Sequence, residues 1–174
     1  MNKTTIILTI MVLSFAQTVY AQQASTNHWD KWKNLIGEWV GEGSGQPGQG
    51  GGTFSFQTDL DGKILVRKSH SEYPAAQNKP AVIHDDLMII YLDFSGTPSK
   101  AIYFDNEGHI INYSIAYSDR SIVLTSDEIQ NLPVFRLTYA LTDNKTVNVK
   151  FEISSQGNQE DFKTYVEGKS KKKN

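Results

Sequence analysis

Histidines close to carboxylates are the residues of this chain best suited to chemistry. His70 and Glu72 lie two positions apart, so on a strand they share a face, and a carboxylate beside an imidazole can tune a base or bind a polar head group. His84 and Asp86 have the same spacing, and imidazole and carboxylate suit zinc or manganese, but the sequence shows no third ligand. Arg136 is a further candidate polar group. No nucleophile, base and orienting group can be placed together, so binding without catalysis is the prediction.

Aromatic residues supply the second set of candidates, because tyrosines recur within the predicted strands. An aromatic ring with a polar tip suits a cavity that holds an amphipathic molecule. Ordinary cross-strand packing is the alternative interpretation. The predicted ligand-binding residues are Trp39, Phe54, Phe56, His70, Tyr91, Tyr113, Tyr117, Arg136 and Tyr139.

Alternating apolar and polar residues predict the elements that carry these side chains. The pattern has a period of two over almost the whole chain, with turn sequences such as Asp61-Gly62 between the segments. A short helical turn that bears Trp29 and Trp32 precedes the strands and is expected to cover apolar surface. About ten strands are predicted, over residues 35–43, 53–60, 63–73, 87–94, 100–105, 109–117, 121–126, 134–141, 146–154 and 161–168. Tight connections without crossover helices favour an all-β, antiparallel up-and-down barrel, with a two-sheet sandwich as the alternative.

Length, charge and composition bound the class of protein. The chain has 174 residues, a formal net charge of −2 and no cysteine, which argues against nucleic-acid binding and excludes disulfides and thiolate metal sites. Residues 1–21 have the pattern of a secretory signal peptide rather than a membrane span, so we expect an exported periplasmic or extracellular protein. Residues 22–170 then form one domain, and residues 171–174 a basic disordered tail.

Glycines crowd the segment after the first predicted strand. They lead into a strand and not a helix, so a phosphate-binding loop is disfavoured, and a loop at one barrel mouth that could gate cargo is predicted. These glycines are Gly41, Gly43, Gly45, Gly48, Gly50, Gly51 and Gly52.

Residues 37–45, Gly-Glu-Trp-Val-Gly-Glu-Gly-Ser-Gly, resemble the opening of nitrobindin-like and related bacterial calycin-like barrels, the group that includes the lipocalins. The resemblance implies a barrel of about ten strands with an interior cavity. In nitrobindins that cavity holds haem through an axial histidine late in the chain. Here the last histidine is His109, so haem is disfavoured, although Tyr139 or Tyr165 could offer a phenolate. Resemblance to lipocalins further implies that a cation near the closing strand covers Trp39.

Together these features predict a barrel that binds a small hydrophobic or amphipathic molecule in its lumen without a cofactor. One alternative is an enzyme that uses the same cavity, with His70 and Glu72, or Arg136, as polar groups. Another is a filled barrel that serves as an interaction or envelope-structural module, for which residues 87–94 could supply an apolar outer patch. The predicted partners are therefore a small ligand, with no nucleic acid and no membrane span, and a homodimer is left open.

Overall fold

A computed structural model of the chain describes residues 28–43, 51–75, 80–155 and 161–173. These residues form ten strands, and each pairs antiparallel with its neighbours in the chain. β10 also pairs with β1, which closes the sheet into a barrel. The predicted all-β, up-and-down barrel of about ten strands is thereby confirmed. The strands are β1 (Gly37–Gly41), β2 (Thr53–Asp59), β3 (Ile64–Tyr73), β4 (Val82–Leu92), β5 (Pro98–Asp105), β6 (Ile110–Tyr117), β7 (Ser121–Ser126), β8 (Val134–Leu141), β9 (Thr146–Ser154) and β10 (Phe162–Lys172).

The fourth strand begins earlier than the sequence pattern predicts. β4 starts at Val82, because the polar run at its beginning alternates faces as the apolar run after it does. Asp86 points into the barrel and pairs with Arg67, whereas Asp85 points out and contacts His70. A run of charged residues can thus be a strand when each face supplies partners.

The last strand runs further than predicted and absorbs most of the expected tail. Lys171 and Lys172 belong to β10, so the prediction of a disordered segment over 171–174 is wrong for these residues. Lys172 pairs with Trp39 in register, and its Nζ lies 5.5 Å from the Trp39 ring centre. That Nζ also donates to the carbonyl of Asn34 at 3.0 Å. The predicted cation over Trp39 is therefore present as Lys172.

Successive turns over residues 28–35 close one end of the barrel, which we call the closed end. Trp32 N–H donates to the carbonyl of Trp29 at 2.8 Å, which makes the segment compact. The Trp32 ring is fully buried, 5.5 Å from the ring of Phe56, and its Nε1 donates to the Tyr117 hydroxyl at 2.8 Å. Trp29 Nε1 donates to the carbonyl of Gly62 at 2.8 Å, which ties the segment to the β2–β3 turn. Two tryptophans thus bury large apolar areas and still satisfy their N–H groups.

Side chains fill the barrel from the closed end to its middle. Zero accessible surface leaves no room for a water-sized void beside such a side chain, so the interior is closely packed around these residues, while Ile115, Leu141 and Val149 on the same face are partly buried. The inward-facing residues with no accessible surface include Trp39, Phe56, Leu65, Met88, Ile90, Ala101, Leu124, Tyr139 and Val147.

The opposite end, which we call the open end, is formed by the last residues of β1, β3, β5, β7 and β9 and the first residues of β2, β4, β6, β8 and β10. Residues 44–50 of the predicted glycine loop lie outside the described residues, as do residues 1–27 with the predicted signal peptide. Gly52 is described, with φ +86°, and a Cβ there would lie 2.1 Å from the carbonyl oxygen of His70. Only glycine permits this approach of the loop to β3.

Candidate binding site at the open end

Strand register gathers five polar side chains inside the barrel towards the open end. Asp86 on β4 pairs in register with Ser69 on one side and Asp105 on the other, so all three face inward. Two positions away along each strand, Arg67, His84 and Tyr103 face the same way. We call Arg67, His84, Asp86, Tyr103 and Asp105 the mouth cluster. It lies directly above the closely packed part of the interior, against Met88 and Tyr139.

The mouth cluster is joined by direct contacts that run from Arg67 towards the opening. Arg67 forms an ion pair with Asp86, and the side chains of the two residues are 9% and 6% exposed. His84 Nε2 lies 3.8 Å from the other Asp86 oxygen and 3.1 Å from the Tyr103 hydroxyl. The Tyr103 hydroxyl donates to Asp105 at 3.2 Å. The cluster is therefore a continuous polar network in an otherwise apolar interior.

Asp105 remains a carboxylate because the turn that follows β5 surrounds it with donors. Its Oδ1 accepts from the backbone N–H groups of Glu107 and His109 at 3.0 and 2.9 Å, and its Oδ2 lies 2.8 Å from His109 Nδ1. Burial alone would raise the pKa of Asp105, but these hydrogen bonds outweigh burial and lower it. A negative charge is thus held inside the mouth.

Arg67 is held as a cation in the deepest part of the cluster. Burial works to lower the pKa of Arg67, whereas the Asp86 carboxylate, followed by Tyr139, Tyr103 and Tyr113, raises it and prevails. The guanidinium carbon lies 5.5 Å from the centre of the Phe54 ring. Within the described part of the chain, Arg67 Nε has no hydrogen-bond partner, although it is enclosed by protein. An enclosed donor left in this state costs stability, so its retention marks a candidate site.

Tyr139 carries a second enclosed polar atom of this kind. The residue is fully buried, and its hydroxyl has no hydrogen-bond partner among the described residues. Burial raises the pKa of Tyr139, and it likewise raises those of Tyr113 and Tyr103. All three side chains therefore stay protonated phenols that can donate as well as accept.

Aromatic side chains from the far wall face the mouth cluster. The rings of Phe135 and Phe151 stack at 5.9 Å, and Tyr165 meets Phe151 edge-on at 6.2 Å. Burial raises the pKa of Tyr73, and Tyr165, Glu107 and Asp86 raise it further. The open end thus combines a polar wall with an aromatic wall, the composition typical of sites for amphipathic molecules.

Exposed apolar residues surround this opening. They occupy the first positions of β4, β6 and β10 and the β7–β8 connection, so they border the mouth rather than the barrel waist. These rim residues are Val82, Ile83, Ile110, Ile129, Leu132 and Tyr165. These residues add exposed apolar surface around the opening.

The sequence-predicted ligand-binding residues divide between the two faces of the sheet. Trp39, Phe54, Phe56, Tyr113, Tyr117 and Tyr139 face the interior. Of these, Tyr113 and Tyr139 adjoin Arg67, whereas Tyr117 lies at the closed end and hydrogen-bonds Trp32 and the carbonyl of Pro98. The structure therefore brings only part of the predicted set to the open end.

His70, Tyr91 and Arg136 lie on the outer face of the barrel. His70 Nδ1 is 2.6 Å from Asp85 and its Nε2 is 3.2 Å from Glu72, and the Asp85 hydrogen bond is the main reason that the pKa of His70 is raised. Arg136 Nε donates to Glu152 at 2.7 Å and its guanidinium stacks 3.9 Å from the Phe162 ring centre. The sheet separates these side chains from the interior. An enzyme that uses the cavity with His70 as a polar group requires His70 to face inward, but His70 faces outward.

An outer groove of about 600 Å³ runs over β1 to β5 beside His70. Leu87 and Phe104 contribute its apolar surface, with Lys68 and the Glu38–Lys173 pair at its borders. Its charged side chains mostly satisfy one another, as in the His70–Asp85 contact. The groove therefore offers fewer unsatisfied polar groups than the mouth cluster.

Arg67, Tyr103 and Asp105 are the site residues that sequence analysis missed. For Arg67, the alternation of β3 held a signal, because Arg67 shares a face with the apolar Leu65, which is buried. The predicted convergence of His84 and Asp86 is confirmed by their 3.8 Å contact. Among the described residues, however, no group of three histidines, cysteines or carboxylates is arranged to hold a metal ion.

No protein-family model matches the sequence, and a search of curated proteins finds no significant match. Within the ranges that the structure describes, no helix has the length and apolar character needed to cross a membrane.

Proposed function

We propose that the barrel binds a small amphipathic molecule at its open end, with the polar head at the mouth cluster and the apolar part along Phe135, Phe151 and the rim residues. The observation that carries the proposal is the Arg67–Asp86 network, which is buried above a closely packed apolar interior and contains an enclosed Arg67 Nε with no hydrogen-bond partner among the described residues. Burial of such polar groups lowers the stability of the fold, and binding is a common reason for their presence in an interior.

The closely packed lower half of the barrel limits the size of the cargo. A ligand occupies the mouth and the upper interior, so a compact head with a short chain or ring fits better than a long chain enclosed along the whole axis. Apolar contact supplies affinity at roughly 25 cal/mol per Å², before the costs of association. Because residues 1–21 have the pattern of a signal peptide, we place this activity outside the cytoplasm.

Native mass spectrometry of the purified protein, compared with the same sample denatured, tests the proposal directly. A mass excess that disappears on denaturation identifies a carried ligand, and extraction then gives its class. If the protein is empty, incubation with a panel of amphipathic alcohols, amides and sterols should give a complex of one ligand per chain.

Two histidine variants locate the bound molecule. His84→Trp fills the mouth from the inner face and should abolish the complex, whereas His70→Trp adds the same bulk on the outer face and should leave it intact. Loss of binding in His70→Trp with retention in His84→Trp would move the site to the outer groove and overturn the proposal. So would the absence of any complex across the panel.

A filled barrel that acts as an interaction module is the second candidate. The closely packed lower interior and the six exposed apolar rim residues favour it. It predicts that substitution of rim residues such as Ile110→Ser and Ile129→Ser changes association with another protein while no small molecule ever copurifies. A carried ligand in the mass measurement contradicts this candidate.

A further inference from the structure

The mouth cluster has a charge balance that bears on which head group it accepts. In the part of the chain that the structure describes, Arg67 is the one buried lysine or arginine, and its charge is matched by Asp86. Asp105, whose side chain is 3% exposed, and Glu107 at the rim add two further carboxylates. One guanidinium therefore faces three carboxylates.

The remaining charged groups around the mouth do not reverse that balance. His84 Nδ1 lies 3.1 Å from Glu107, and His109 lies against Asp105, so each imidazole is already in contact with a carboxylate. On the opposite wall, Lys163 of β10 is exposed and lies 3.8 Å from Asp161. No described cation is therefore left over inside the mouth to meet an incoming anion.

From this balance we infer that the site discriminates against carboxylates and takes a head group that can both accept and donate hydrogen bonds, such as a hydroxyl. The inference rests on the proposed function and narrows it. An added carboxylate would be repelled by Asp86 and Asp105 where the surrounding protein weakens screening. An ammonium head could donate to these carboxylates, but it has no lone pair for the Arg67 donors, so it fits one half of the cluster only. A hydroxyl can accept from Arg67 or His84 and donate to Asp86 or Asp105, so it fits both halves of the cluster.

Decan-1-ol and decanoate make a matched pair of probes, because they share a chain and differ in head-group charge near neutral pH. Isothermal titration of the full purified protein should show decan-1-ol binding one to one, with decanoate weaker by at least about tenfold. Equal or tighter binding of decanoate overturns the inference and leaves the proposed function standing. If neither probe binds, and the amphiphile panel also gives no complex, the proposed function fails and this inference fails with it.

Asp86→Asn provides the sharper test, because asparagine keeps a hydrogen-bond acceptor for Arg67 and removes the matching charge. The freed guanidinium should improve decanoate affinity by about tenfold or more while changing that of decan-1-ol little. Asp85→Asn, one residue away on the outer face, is the matched control and should change neither. Glu107→Gln, at the exposed rim, gives a second test that leaves the buried pair intact, with a smaller gain for decanoate. Unchanged selectivity in both mouth variants contradicts the inference.

Discussion

The two ends of this barrel solve the problem of covering an interior in opposite ways. At the closed end, the large rings of Trp29 and Trp32 are buried and each indole N–H has an acceptor, so this end is apolar and its indole N–H groups are hydrogen-bonded. Towards the open end, Arg67 and Asp86 are buried as charges, and Arg67 Nε and the adjoining Tyr139 hydroxyl have no hydrogen-bond partner among the described residues. Apolar closure stabilises the fold at little cost, whereas buried charge does not. The contrast supports the proposal that one end stabilises the fold and the other binds a ligand.

Removal of the Trp32 ring from the closed end should give the largest loss of stability. Trp32→Ala deletes a fully buried ring and should reduce the free energy of unfolding by about 3–5 kcal/mol, measured by urea denaturation. Phe94→Ala is the matched control, since Phe94 is an exposed aromatic residue at the same end and should change stability by less than about 0.5 kcal/mol. Similar losses of stability in both variants would show that the buried Trp32 ring contributes no more to stability than the exposed Phe94 ring.

Breaking the buried ion pair should cost nearly as much, but for a different reason. Asp86→Ala leaves the Arg67 charge uncompensated in the interior, and we expect a loss of about 3–5 kcal/mol in denaturant unfolding. The double variant Arg67→Met with Asp86→Leu removes both charges and should recover wild-type stability, within about 1 kcal/mol, or exceed it. Ligand binding should be lost in the double variant. A double variant as unstable as the single one would mean that the pair stabilises the fold and is not kept for function.

Two tyrosine hydroxyls inside the barrel, one at the closed end and one beside Arg67, allow a smaller and cleaner comparison. Tyr117→Phe removes the acceptor of Trp32 Nε1 and should cost about 1–3 kcal/mol, because an indole N–H is then left unsatisfied. Tyr139→Phe removes a hydroxyl that has no partner among the described residues, so stability should stay within about 0.5 kcal/mol of wild type or rise. Thermal unfolding of both variants measures the difference. A large loss in Tyr139→Phe would show that its hydroxyl has a stabilising contact in solution.

The same contrast explains what could be predicted from the sequence. Period-two alternation in segments such as Val147, Val149 and Phe151 specifies strands, and short turns specify the up-and-down order, so the fold follows from local patterns. The mouth cluster depends on which residues meet across strands, and sequence alone does not fix register. Arg67 and Asp86 are 19 residues apart and meet only because β3 and β4 pair as they do. Likewise His70 could be placed on a face, but whether that face is inner or outer required the barrel.

The smallest expected effect concerns His70, which lies on the outer face of the barrel near the open end. The hydrogen bonds that the His70 ring donates to Asp85 and, to a lesser extent, to Glu72 raise the pKa of His70, so NMR titration of its ring protons should give a value above the usual 6.5 or so. Because the pKa is raised in the folded state, the associated stabilisation is present below the unfolded-state pKa and is lost as pH rises through the folded-state pKa. Solvent exposure keeps this contribution small.

Asp85→Asn should return the pKa of His70 towards the usual value without altering binding at the mouth. If that variant also changes ligand affinity, the outer face and the mouth are coupled through β4, and the separation of the two faces is weaker than the geometry implies.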